Sequence, residues 1–563
     1  MCGIFACIKS GACLNISTHF SKIKHRGPDS STIKEIDEKV TFAFHRLAII
    51  DPNSKSNQPL YLDNFALICN GEIFNYKQLE KENDFKMKTM SDCEIILHLY
   101  KKYGIRKTVN ILDAEFAFIL YDMKNNTIFA ARDPYGVRPL FIGETVDGNI
   151  FFSSEAKALT DIDNITIEQV LPGHYIEFAI SKMNNLNYTK YFDIEQKSIE
   201  DNKETAMPKI NKLFTQAVEK RLMSDRPIGC LLSGGLDSSL VTSIVSRNLP
   251  NLHCFSIGLE GGVDIIAAKK VAKFLNIPKS KHHIVNFTVE EGMNALKDVI
   301  YHLESYDITT IRASTPQYLL AKYIGTNTDV KVLYSGEGAD ELFAGYQYSK
   351  DAPSAEELHK DSIKLLKELY LYDNLRTDRT TSCWGLEVRI PFLDKEFTKY
   401  VLSLDPELIK PSKNIMEKLL LRDSFKNGYL PEEILYRPKE AFSDAVSSKE
   451  VSWYRTLASH IDKVITKEEL QDAHLKYQFN TPQTKEALFY RNIFCDLFPG
   501  RDELIPRYWM PQWQGKIVDP SATVLKCHQG ELELDDDIVD KLETHTVEHK
   551  KNIALGEVMF GNG

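Results

Sequence analysis

Short runs of apolar, β-branched and aromatic residues recur through the N-terminal third of the chain. They are FAFHRLAII, FALICNGEI, FAFILYD, TIFAARD, IFFSSEA and HYIEFAI. Between them lie segments rich in Gly, Pro, Asp and Asn, which are typical of turns: RGPDSS, DPNSKSNQP, DPYGVRP and LPGH. The pattern predicts the strands of a layered α+β domain over residues 1–193.

A different pattern begins beyond residue 193. The polar stretch FDIEQKSIEDNKETAMPK predicts a linker over residues 194–204, and INKLFTQAVEKRLM has helical periodicity. The apolar run PIGCLL, the segment SGGLDSS, the helical LVTSIVSRNL and the apolar LHCFSIGL follow in that order. Strand, loop, helix and strand are the succession of a parallel α/β sheet. We therefore predict a second domain over 205–515 with additional C-terminal helices, and a polar, mobile tail over 516–563.

Composition narrows the class of protein and its location. A chain of 563 residues is long enough for two or three domains, and its net charge of -10 argues against binding nucleic acid through phosphate contacts. No uninterrupted apolar stretch reaches the ~18 residues of a membrane span, and MCGIFACIKS lacks the pattern of a secretory signal. Ten scattered cysteines without a C-x-x-C pair indicate reduced thiols. We expect a cytoplasmic protein with neither a membrane nor a nucleic-acid partner.

Cys2 is the first candidate for chemistry. Removal of the initiator methionine would give this cysteine a free α-amino group, so that nucleophile and base would share one residue. An α-amine has a pKa of roughly 8, close to that of a thiol, and can accept the thiol proton near neutral pH. Taken alone, a cysteine at this position is better explained as an ordinary N-terminal residue.

Six motifs resemble the glutaminase domain of class II amidotransferases, which are N-terminal nucleophile hydrolases. In chain order they are MCGIF, KHRGPD, HRLAIID, CNGEIFNY, SDCE and ARDPYGVRPLF. The resemblance implies that the thiolate of Cys2 attacks the side-chain amide of glutamine. It also implies that the Asn70 side chain and the Gly71 N–H stabilise the resulting oxyanion. A hairpin turn is the alternative for Asn70 and Gly71, but it does not explain Glu72 and Asn75 beside them.

The same resemblance implies which residues bind the two charged ends of glutamine. Arg46 would hold the α-carboxylate through its guanidinium fork, with the backbone of Ile49 and Ile50 nearby. Glu72 and Asp92 would accept hydrogen bonds from the α-ammonium, since a zwitterion needs a partner of each sign. The alternatives are a surface salt bridge for Arg46 and a solvated carboxylate for Asp92.

SGGLDSS, at residues 233–239, predicts a phosphate-binding site, because its glycines and hydroxyls precede a predicted helix whose first N–H groups point toward an anion. It lacks the lysine of the P-loop and resembles instead the pyrophosphate-binding loop of the ATP pyrophosphatases. The alternatives are a plain turn with a helix cap and, for the apolar members, ordinary core. The resemblance implies ATP-binding residues Leu232, Ser233, Gly234, Gly235, Asp237, Ser238, Ile257, Ser335 and Gly336.

YSGEGADELFAGY, at residues 334–346, adds a second acidic and glycine-rich segment. We predict that Asp237 and Asp340 bind Mg²⁺, which would bridge the phosphates where pyrophosphate leaves. Helix caps or surface charges are the alternative. The resemblance assigns Glu337 to formation of the acyl-adenylate. It assigns Lys439, in YRPKEAFSD, to neutralising the leaving phosphates.

Four segments point to the acid that is aminated. ESYDITTIRASTPQYLLAKYI, SGEGADELFAGY, WGLEVRIPFLDKEF and RPKEAFSD resemble the glutamine-hydrolysing asparagine synthetases, and the match continues in order to about residue 510. It implies conversion of aspartate through β-aspartyl-AMP, an internal passage for ammonia and a homodimer. Thr309, Thr310 and Arg312 would bind aspartate, with Asp264 and Asp394 as weaker candidates. A capped helix start is the alternative for the first three.

Two positions depart from the pattern of that family. Ala339 stands where the family's SGEGSDE has serine, so one hydroxyl is missing near the predicted metal-binding segment. Ala445 stands where the family's FSDG has glycine, and it would stiffen a turn. Neither substitution abolishes a predicted role.

Two other functions fit parts of the sequence. One is an amidotransferase or adenylate-forming ligase that acts on a different acid, such as a β-lactam-forming relative, although such relatives typically lack the nucleophilic cysteine. The other is a non-catalytic binding or regulatory protein. Such a protein would have no reason to keep Cys2, Arg46, Asp92, the SGGLDSS loop and Lys439 together.

Overall fold

The computed structural model describes residues 1–10, 15–194, 199–439 and 453–520. Its N-terminal part contains the strands β1 Gly3–Ile8, β2 Ser30–Glu35, β3 Val40–Arg46, β4 Leu60–Leu62, β5 Phe65–Ile73, β6 Ala114–Asp122, β7 Thr127–Arg132, β8 Phe141–Thr145, β9 Ile150–Ser153, β10 Ile165–Gln169, β11 His174–Ala179 and β12 Asn187–Lys190. They form two six-stranded antiparallel sheets, ordered β10-β8-β9-β1-β3-β2 and β12-β11-β7-β6-β5-β4. The candidate nucleophile therefore precedes a central strand of the first sheet.

The two antiparallel sheets pack face to face, because alternate side chains of both lie in one buried cluster. Ile4 and Phe42 enter this cluster from the first sheet, and Ile68 and Ile119 enter it from the second. Helices cover the outer faces: α1 Ile16–Ser21 lies against the first sheet, and α2 Tyr76–Asn83, α3 Ile95–Tyr103 and α4 Ile105–Ile111 lie against the second. The result is a layered α+β arrangement.

A parallel sheet organises the C-terminal part. Its strands are β13 Ile228–Leu231, β14 His253–Gly258, β15 His282–Asn286, β16 Val332–Tyr334 and β17 Glu387–Arg389, in the order β15-β14-β13-β16-β17. The chain proceeds outward from β13 to β15 and then returns to β16, so the strand order reverses between β13 and β16. Loops that leave a parallel sheet at such a point diverge and form a crevice.

Helices cover both faces of the parallel sheet. The α-helices of this part are α5 Lys203–Lys220, α6 Leu236–Asn248, α7 Val263–Phe274, α8 Val289–Leu303, α9 Ile308–Asn327, α10 Ala339–Leu342, α11 Ala355–Glu368, α12 Asp373–Ser382, α13 Lys395–Ser403, α14 Leu419–Ser424, α15 Glu432–Leu435, α16 Trp453–Val464, α17 Lys467–Gln471, α18 Ala473–Lys476 and α19 Lys485–Leu497. Cys230 and Cys254 belong to the buried cluster on one face, and Phe255 and Leu333 to the cluster on the other. The inner strands therefore lie between two packed layers, as parallel strands require, and the edge strand β15 is half-buried.

The structure confirms the predicted fold class, with antiparallel α+β layers first and a parallel α/β sheet with helices after them. The predicted boundaries stay predictions, since residues 195–198 of the linker and residues 521–563 of the tail lie outside the described residues. Ala445 also lies outside them. Among the described residues, no helix combines the length and the apolar character that crossing a bilayer requires.

Candidate active sites

Cys2 lies beside strand β5, which carries the CNGE motif. Its backbone N–H donates to Asn70 Oδ1 at 2.9 Å, and its sulfur lies 3.6 Å from Leu47 O. Burial raises the pKa of the thiol to about 11, although the nearby α-ammonium opposes this shift. That ammonium belongs to Met1. Because its pKa is about 11, the thiol of Cys2 is protonated at neutral pH while Met1 is attached.

Met1 is buried between the two parts of the chain, with 1% of its surface exposed. Its ammonium group donates to Leu386 O at 3.4 Å, and its sulfur lies 2.8 Å from Arg138 Nη1. Burial lowers the pKa of the ammonium to about 6. Removal of Met1 would therefore vacate a buried space next to the thiol and would leave the amine of Cys2 beside Asn70 Oδ1.

Asn70 and Gly71 lie inside β5, so the hairpin-turn alternative is wrong. Asn70 Nδ2 is buried and has no hydrogen-bond partner among the described residues. An unpartnered donor near a thiol is available to an oxyanion. A Cβ on Gly71 would lie 2.4 Å from Glu115 O on the neighbouring strand. Glycine is thus required here by the close approach of β6, a reason that the motif alone does not reveal.

Arg46 is buried, with 5% of its surface exposed, so it is not a surface salt bridge. Nη1 donates to Asn53 O at 2.7 Å and to Asn57 Oδ1 at 2.7 Å. Nη2 donates to Ile50 O at 3.2 Å and also to Asp51 O. The guanidinium group therefore organises the loop that follows Ile50, and its contact with a carboxylate stays a prediction.

Glu72 and Asp92 are both buried, which excludes a solvated Asp92. Burial raises the pKa of Asp92 to about 6, while a hydrogen bond of 2.7 Å from the Ile73 N–H to Oδ2 favours its ionised form. Burial and the nearby carboxylate of Glu387 raise the pKa of Glu72 well above its ordinary value. Two buried carboxylates next to one another favour the binding of a cation, because a positive charge would stabilise their ionised forms.

Two arginines that the sequence did not single out contribute to this first site, one from each part of the chain. Arg389 Nη2 lies 3.4 Å from Glu72 Oε2, and Arg389 Nε donates to Glu387 Oε1 at 3.0 Å. Arg26 Nε donates to Cys2 O at 3.0 Å. These arginines lie within KHRGPD and WGLEVRIPF, but nothing in either motif indicates that the two segments meet.

The crevice between β13 and β16 is lined by residues from the two predicted phosphate segments. Nine residues predicted for ATP or for the metal lie in its wall: Leu232, Ser233, Gly235, Asp237, Ser238, Ile257, Ser335, Gly336 and Asp340. Glu337 and Lys439 line it as well. Gly234 is outside the wall, where its φ of 84° and a distance of 2.4 Å from its Cβ position to Ala268 N both require glycine.

The SGGLDSS loop ends in a helix start that is available to an anion. Gly235 is the N-cap of α6 and provides no side-chain cap. Its N–H donates to Ser233 Oγ at 3.2 Å, and Ser233 Oγ lies 2.9 Å from Ser238 Oγ. The first N–H groups of a helix without a side-chain cap can donate to a phosphate, which agrees with the predicted role of this loop.

Asp237 and Asp340 converge on two lysines. Lys418 Nζ lies 2.6 Å from Asp237 Oδ2 and 2.7 Å from Asp340 Oδ1. Lys439 Nζ lies 2.7 Å from Asp340 Oδ2 and 3.8 Å from Asp237 Oδ2. Burial opposes ionisation, but Lys418 and Lys439 hold the pKa of Asp340 well below its ordinary range. Neither aspartate is a surface charge, and Lys418 was not among the sequence candidates.

Glu337 is paired with a second residue that the sequence did not single out. Arg376 Nη2 lies 3.3 Å from Glu337 Oε1 and 2.7 Å from Asp373 Oδ1. Burial raises the pKa of Glu337, and the positive charge of Arg376 opposes that shift. Gln317 and Arg376 both line the cavity, so each is a candidate for contact with the acid substrate.

The three residues predicted for aspartate lie outside the wall of the cavity. Thr309 and Thr310 donate through their hydroxyls to Asp307 Oδ2, each at 2.8 Å, at the N-cap of α9. Arg312 is engaged by both carboxylate oxygens of Glu486, at 2.7 and 2.6 Å. The geometry is that of the capped-helix alternative, and the assignment of these residues to aspartate stays a prediction.

The two weaker candidates for aspartate binding, Asp264 and Asp394, lie in different places. Asp264 lines the cavity and pairs with Arg437 at 2.9 Å. Asp394 lies elsewhere: its Oδ1 accepts from two backbone N–H groups at the start of α13, and its Oδ2 pairs with Arg221 at 2.9 Å. Asp394 is thus a helix cap and an ion-pair partner.

Comparison with known proteins places both parts of the chain in characterised families. The family model described as "Glutamine amidotransferase domain" matches residues 1–206, and "Asparagine synthase" matches residues 209–360 and 349–525. A protein named "Probable asparagine synthetase [glutamine-hydrolyzing]" from Acanthamoeba polyphaga mimivirus is 46% identical over 557 residues, which cover 93% of this chain and 100% of the relative.

Two animal proteins named "Asparagine synthetase [glutamine-hydrolyzing]" are similar to the same extent. The Mus musculus protein is 45% identical over 93% of this chain and 98% of its own length. The Gallus gallus protein is 45% identical over 95% of this chain and 100% of its own length. Identity of this degree, over nearly the full length of each partner, shows that the chain belongs to the family of glutamine-hydrolysing asparagine synthetases.

Proposed function

We propose that this chain synthesises asparagine from aspartate, with glutamine as the nitrogen donor and ATP as the activating substrate. Glutamate, AMP and pyrophosphate are the other products. One observation carries the proposal: a single chain of this family has a half-buried cysteine beside an unpartnered amide donor, and separately a cavity lined by the SGGLDSS loop. The relatives reported above are all named as asparagine synthetases, which does not favour a ligase for a different acid.

In the glutaminase half, the α-amine that Cys2 gains when Met1 is removed accepts the thiol proton. The sulfur then attacks the amide of glutamine, and Asn70 Nδ2 and the Gly71 N–H donate to the oxyanion. Glu72 and Asp92 accept hydrogen bonds from the α-ammonium of the substrate, whose positive charge would stabilise the ionised forms of these two buried carboxylates. The tetrahedral intermediate collapses to a thioester as its C–N bond breaks, and the nitrogen takes the proton from the α-amine and leaves as ammonia. Water then hydrolyses the thioester to glutamate, so that the Cys2 thiol is regenerated.

In the synthetase half, the helix start at Gly235 donates to the phosphates of ATP, and Lys439 neutralises the leaving pyrophosphate. Two observations fit a Mg²⁺ site: Asp237 and Asp340 converge within 2.7 Å of one Lys418 nitrogen, and Asp237 Oδ1 lacks a hydrogen-bond partner among the described residues. When bound, Mg²⁺ would stabilise negative charge on the phosphates. Two carboxylates suffice, because Mg²⁺ in such sites takes its remaining ligands from phosphates and water.

Activation of aspartate places its side-chain carboxylate on the α-phosphate of ATP and gives β-aspartyl-AMP. Ammonia then displaces AMP and forms the amide. Ammonia has to reach this acyl-adenylate without protonation by bulk water, so we propose an internal passage between the sites. The two parts of the chain are in buried contact at the junction, where Arg221 pairs with Glu115 at 3.0 Å.

One assay tests the proposed function. Purified protein is incubated with glutamine, aspartate and Mg-ATP, and asparagine, AMP and pyrophosphate are measured. Equal amounts of the three products are expected, with no pyrophosphate when aspartate is omitted. Pyrophosphate release that depends on another acid would indicate a different ligase. If neither glutamine nor ATP is hydrolysed, the protein is non-catalytic.

A homodimer and a cytoplasmic location are further proposals, which rest on the family resemblance and on the cysteine pattern. Light scattering of the purified protein at several concentrations measures the mass of the assembly, and twice the mass of one chain is expected. Fractionation of the source cells tests the location. Recovery with the membranes would contradict it.

A further inference from the structure

Lys418 lies where a cation between Asp237 and Asp340 would be expected. Its nitrogen is 2.6 Å from one carboxylate and 2.7 Å from the other, and its side chain is 1% exposed. Such an ammonium group cannot exchange its partners for water at its present position. In the absence of nucleotide, the two carboxylates are therefore already bound to a positive charge.

The chain around Lys418 is shaped to hold this side chain. A Cβ on Gly345 would lie 2.0 Å from Lys418 Cε and 2.1 Å from Asp340 Oδ1, so any larger residue at 345 would displace the pair. Lys418 itself has a φ of 58°, a left-handed conformation that residues other than glycine rarely adopt. Backbone strain of this kind persists only where surrounding contacts maintain it.

Charge balance decides when a divalent cation can bind. Two carboxylates face two ammonium groups, since Lys439 lies 2.7 Å from Asp340 Oδ2. A divalent cation added to this set would meet two positive charges at short range, which is unfavourable in a buried site. The phosphates of a nucleotide change the balance, because they accept the ammonium groups and leave the carboxylates to the cation.

We propose that Lys418, together with Lys439, excludes divalent cations from Asp237 and Asp340 until nucleotide phosphates bind, so that the metal enters only with the nucleotide. The inference rests on the proposed ATP site and adds an order of binding to it. Lys418 acts as a positioning residue in this scheme, and its ammonium group is the internal counter-ion of the two carboxylates.

Binding of Mn²⁺ to the full-length protein tests the proposal, with free Mn²⁺ measured by electron paramagnetic resonance. The nucleotide is α,β-methylene-ATP, which cannot be cleaved between the α and β phosphates. The unmodified protein should bind Mn²⁺ with the analogue and not without it. Lys418→Met should bind Mn²⁺ without nucleotide at least about tenfold more tightly than the unmodified protein, because one positive charge is removed.

Three further variants test whether the gain in Mn²⁺ affinity comes from loss of the Lys418 charge. Lys418→Arg retains the positive charge and should still exclude Mn²⁺. Lys426→Met removes an exposed lysine of the same region and should behave as the unmodified protein. Adding Asp340→Asn to Lys418→Met should abolish the gain. Circular dichroism establishes that each variant is folded.

Two results would refute the exclusion of divalent cations, and a third would refute the proposed ATP site as well. Equal binding of Mn²⁺ with and without the analogue, or no gain in folded Lys418→Met, would refute the exclusion while the ATP site stands. Failure of the unmodified protein to bind the analogue in isothermal titration would refute the proposed ATP site itself, and the exclusion with it.

Discussion

Arg26 and Asp378 form a bidentate ion pair between the two parts of the chain, with distances of 2.7 Å from Nη1 to Oδ2 and 2.9 Å from Nη2 to Oδ1. Arg26 also donates to the carbonyl of Cys2. Asp378 belongs to α12, the helix that carries Arg376 into the second cavity beside Glu337. One helix is thus in contact, through single side chains, with both candidate active sites.

Asp378→Asn should weaken glutamine use more than ammonia use. Removal of one partner from a buried ion pair should lower the free energy of unfolding by about 3 kcal/mol. The Arg26 side chain would then hold Cys2 less firmly, so kcat with glutamine should fall while kcat with ammonium chloride is retained. Asp502→Asn, which removes a half-exposed partner of Arg491, is the control. Equal losses with both nitrogen sources would show that the pair is only structural.

Cys2→Ala should abolish glutamine-dependent synthesis and glutaminase activity, because the nucleophile is removed. Synthesis from added ammonia should continue at a rate within about twofold of the unmodified protein, since the second cavity is intact. Asparagine formation from each nitrogen source is measured. Cys495→Ala, a half-buried cysteine far from the site in sequence, should keep both activities. Loss of both activities in folded Cys2→Ala would contradict the division of labour.

Retention of Met1 should inactivate the glutaminase half. With Met1 attached, Cys2 has no α-amine of its own, the amine of Met1 is directed at Leu386 O, and the thiol pKa is about 11, so Cys2 lacks both its own base and a thiolate. Protein expressed while methionine aminopeptidase is inhibited should release no glutamate from glutamine. Mass spectrometry of both preparations establishes the N-terminus. A fully active preparation that still carries Met1 would refute the proposed nucleophile.

Glutamine binding should weaken in acid because of Asp92. Its pKa is about 6 in the free protein, and an α-ammonium would favour the ionised carboxylate, so binding releases a proton below pH 6. The KM for glutamine should rise about tenfold for each pH unit below that value, and Asp92→Asn should have a higher KM that depends less on pH there, since Glu72 is then the remaining carboxylate that titrates. Glutamate release over about pH 5 to 8 measures this. An unchanged pH profile in Asp92→Asn would contradict the role.

The raised pKa of Asp92 should also affect the stability of the fold. The folded pKa of Asp92 lies above the ordinary value of 3.8, so the unfolded chain loses its proton first as the pH rises. The free energy of unfolding should therefore decrease between pH 3.8 and about 6 through this group, and Asp92→Asn should remove that part of the decrease. Urea unfolding at several pH values provides the measurement.

Gly71→Ala should damage the fold of β5 as well as the oxyanion site. Its Cβ would lie 2.4 Å from Glu115 O, so the two strands would have to separate, at a cost of about 3 kcal/mol in the free energy of unfolding. Glutaminase activity should be lost with it. Gly104→Ala is the comparison: nothing lies within 4 Å of its Cβ position and only its φ of 72° opposes the substitution, so it should cost less than Gly71→Ala. Normal stability of Gly71→Ala would show that the strands can separate freely.

Much of the architecture could be predicted from local pattern. The run FALICNGEI became β5, and PIGCLL, SGGLDSS and LVTSIVSRNL became β13, a phosphate-type loop and α6, because strand and helix periodicity are properties of neighbouring residues. The structure brings Cys2 next to Asn70 and gathers residues of the SGGLDSS loop in a separate cavity. Their roles stay predictions until the experiments above are done.

Contacts between distant segments could not be predicted in this way. Arg26 and Asp378 are 352 positions apart, and Lys418 is 181 positions from Asp237. Arg312 has the residue type of a carboxylate ligand, yet the packing of α19 against α9 gives its guanidinium group to Glu486. An ionic side chain takes the partner that folding brings within reach, and its own sequence neighbours do not specify that partner.

The sequence by itself determined the elements, the order of the motifs and the family, because these depend on residue types at short spacing. Only the tertiary structure decided that Glu387 and Arg389 of β17 lie beside Glu72 and that Lys418 lies between the two aspartates. The physical reason is that a buried charge must be neutralised where it lies, and its position becomes defined only when the three sheets and their helices have packed.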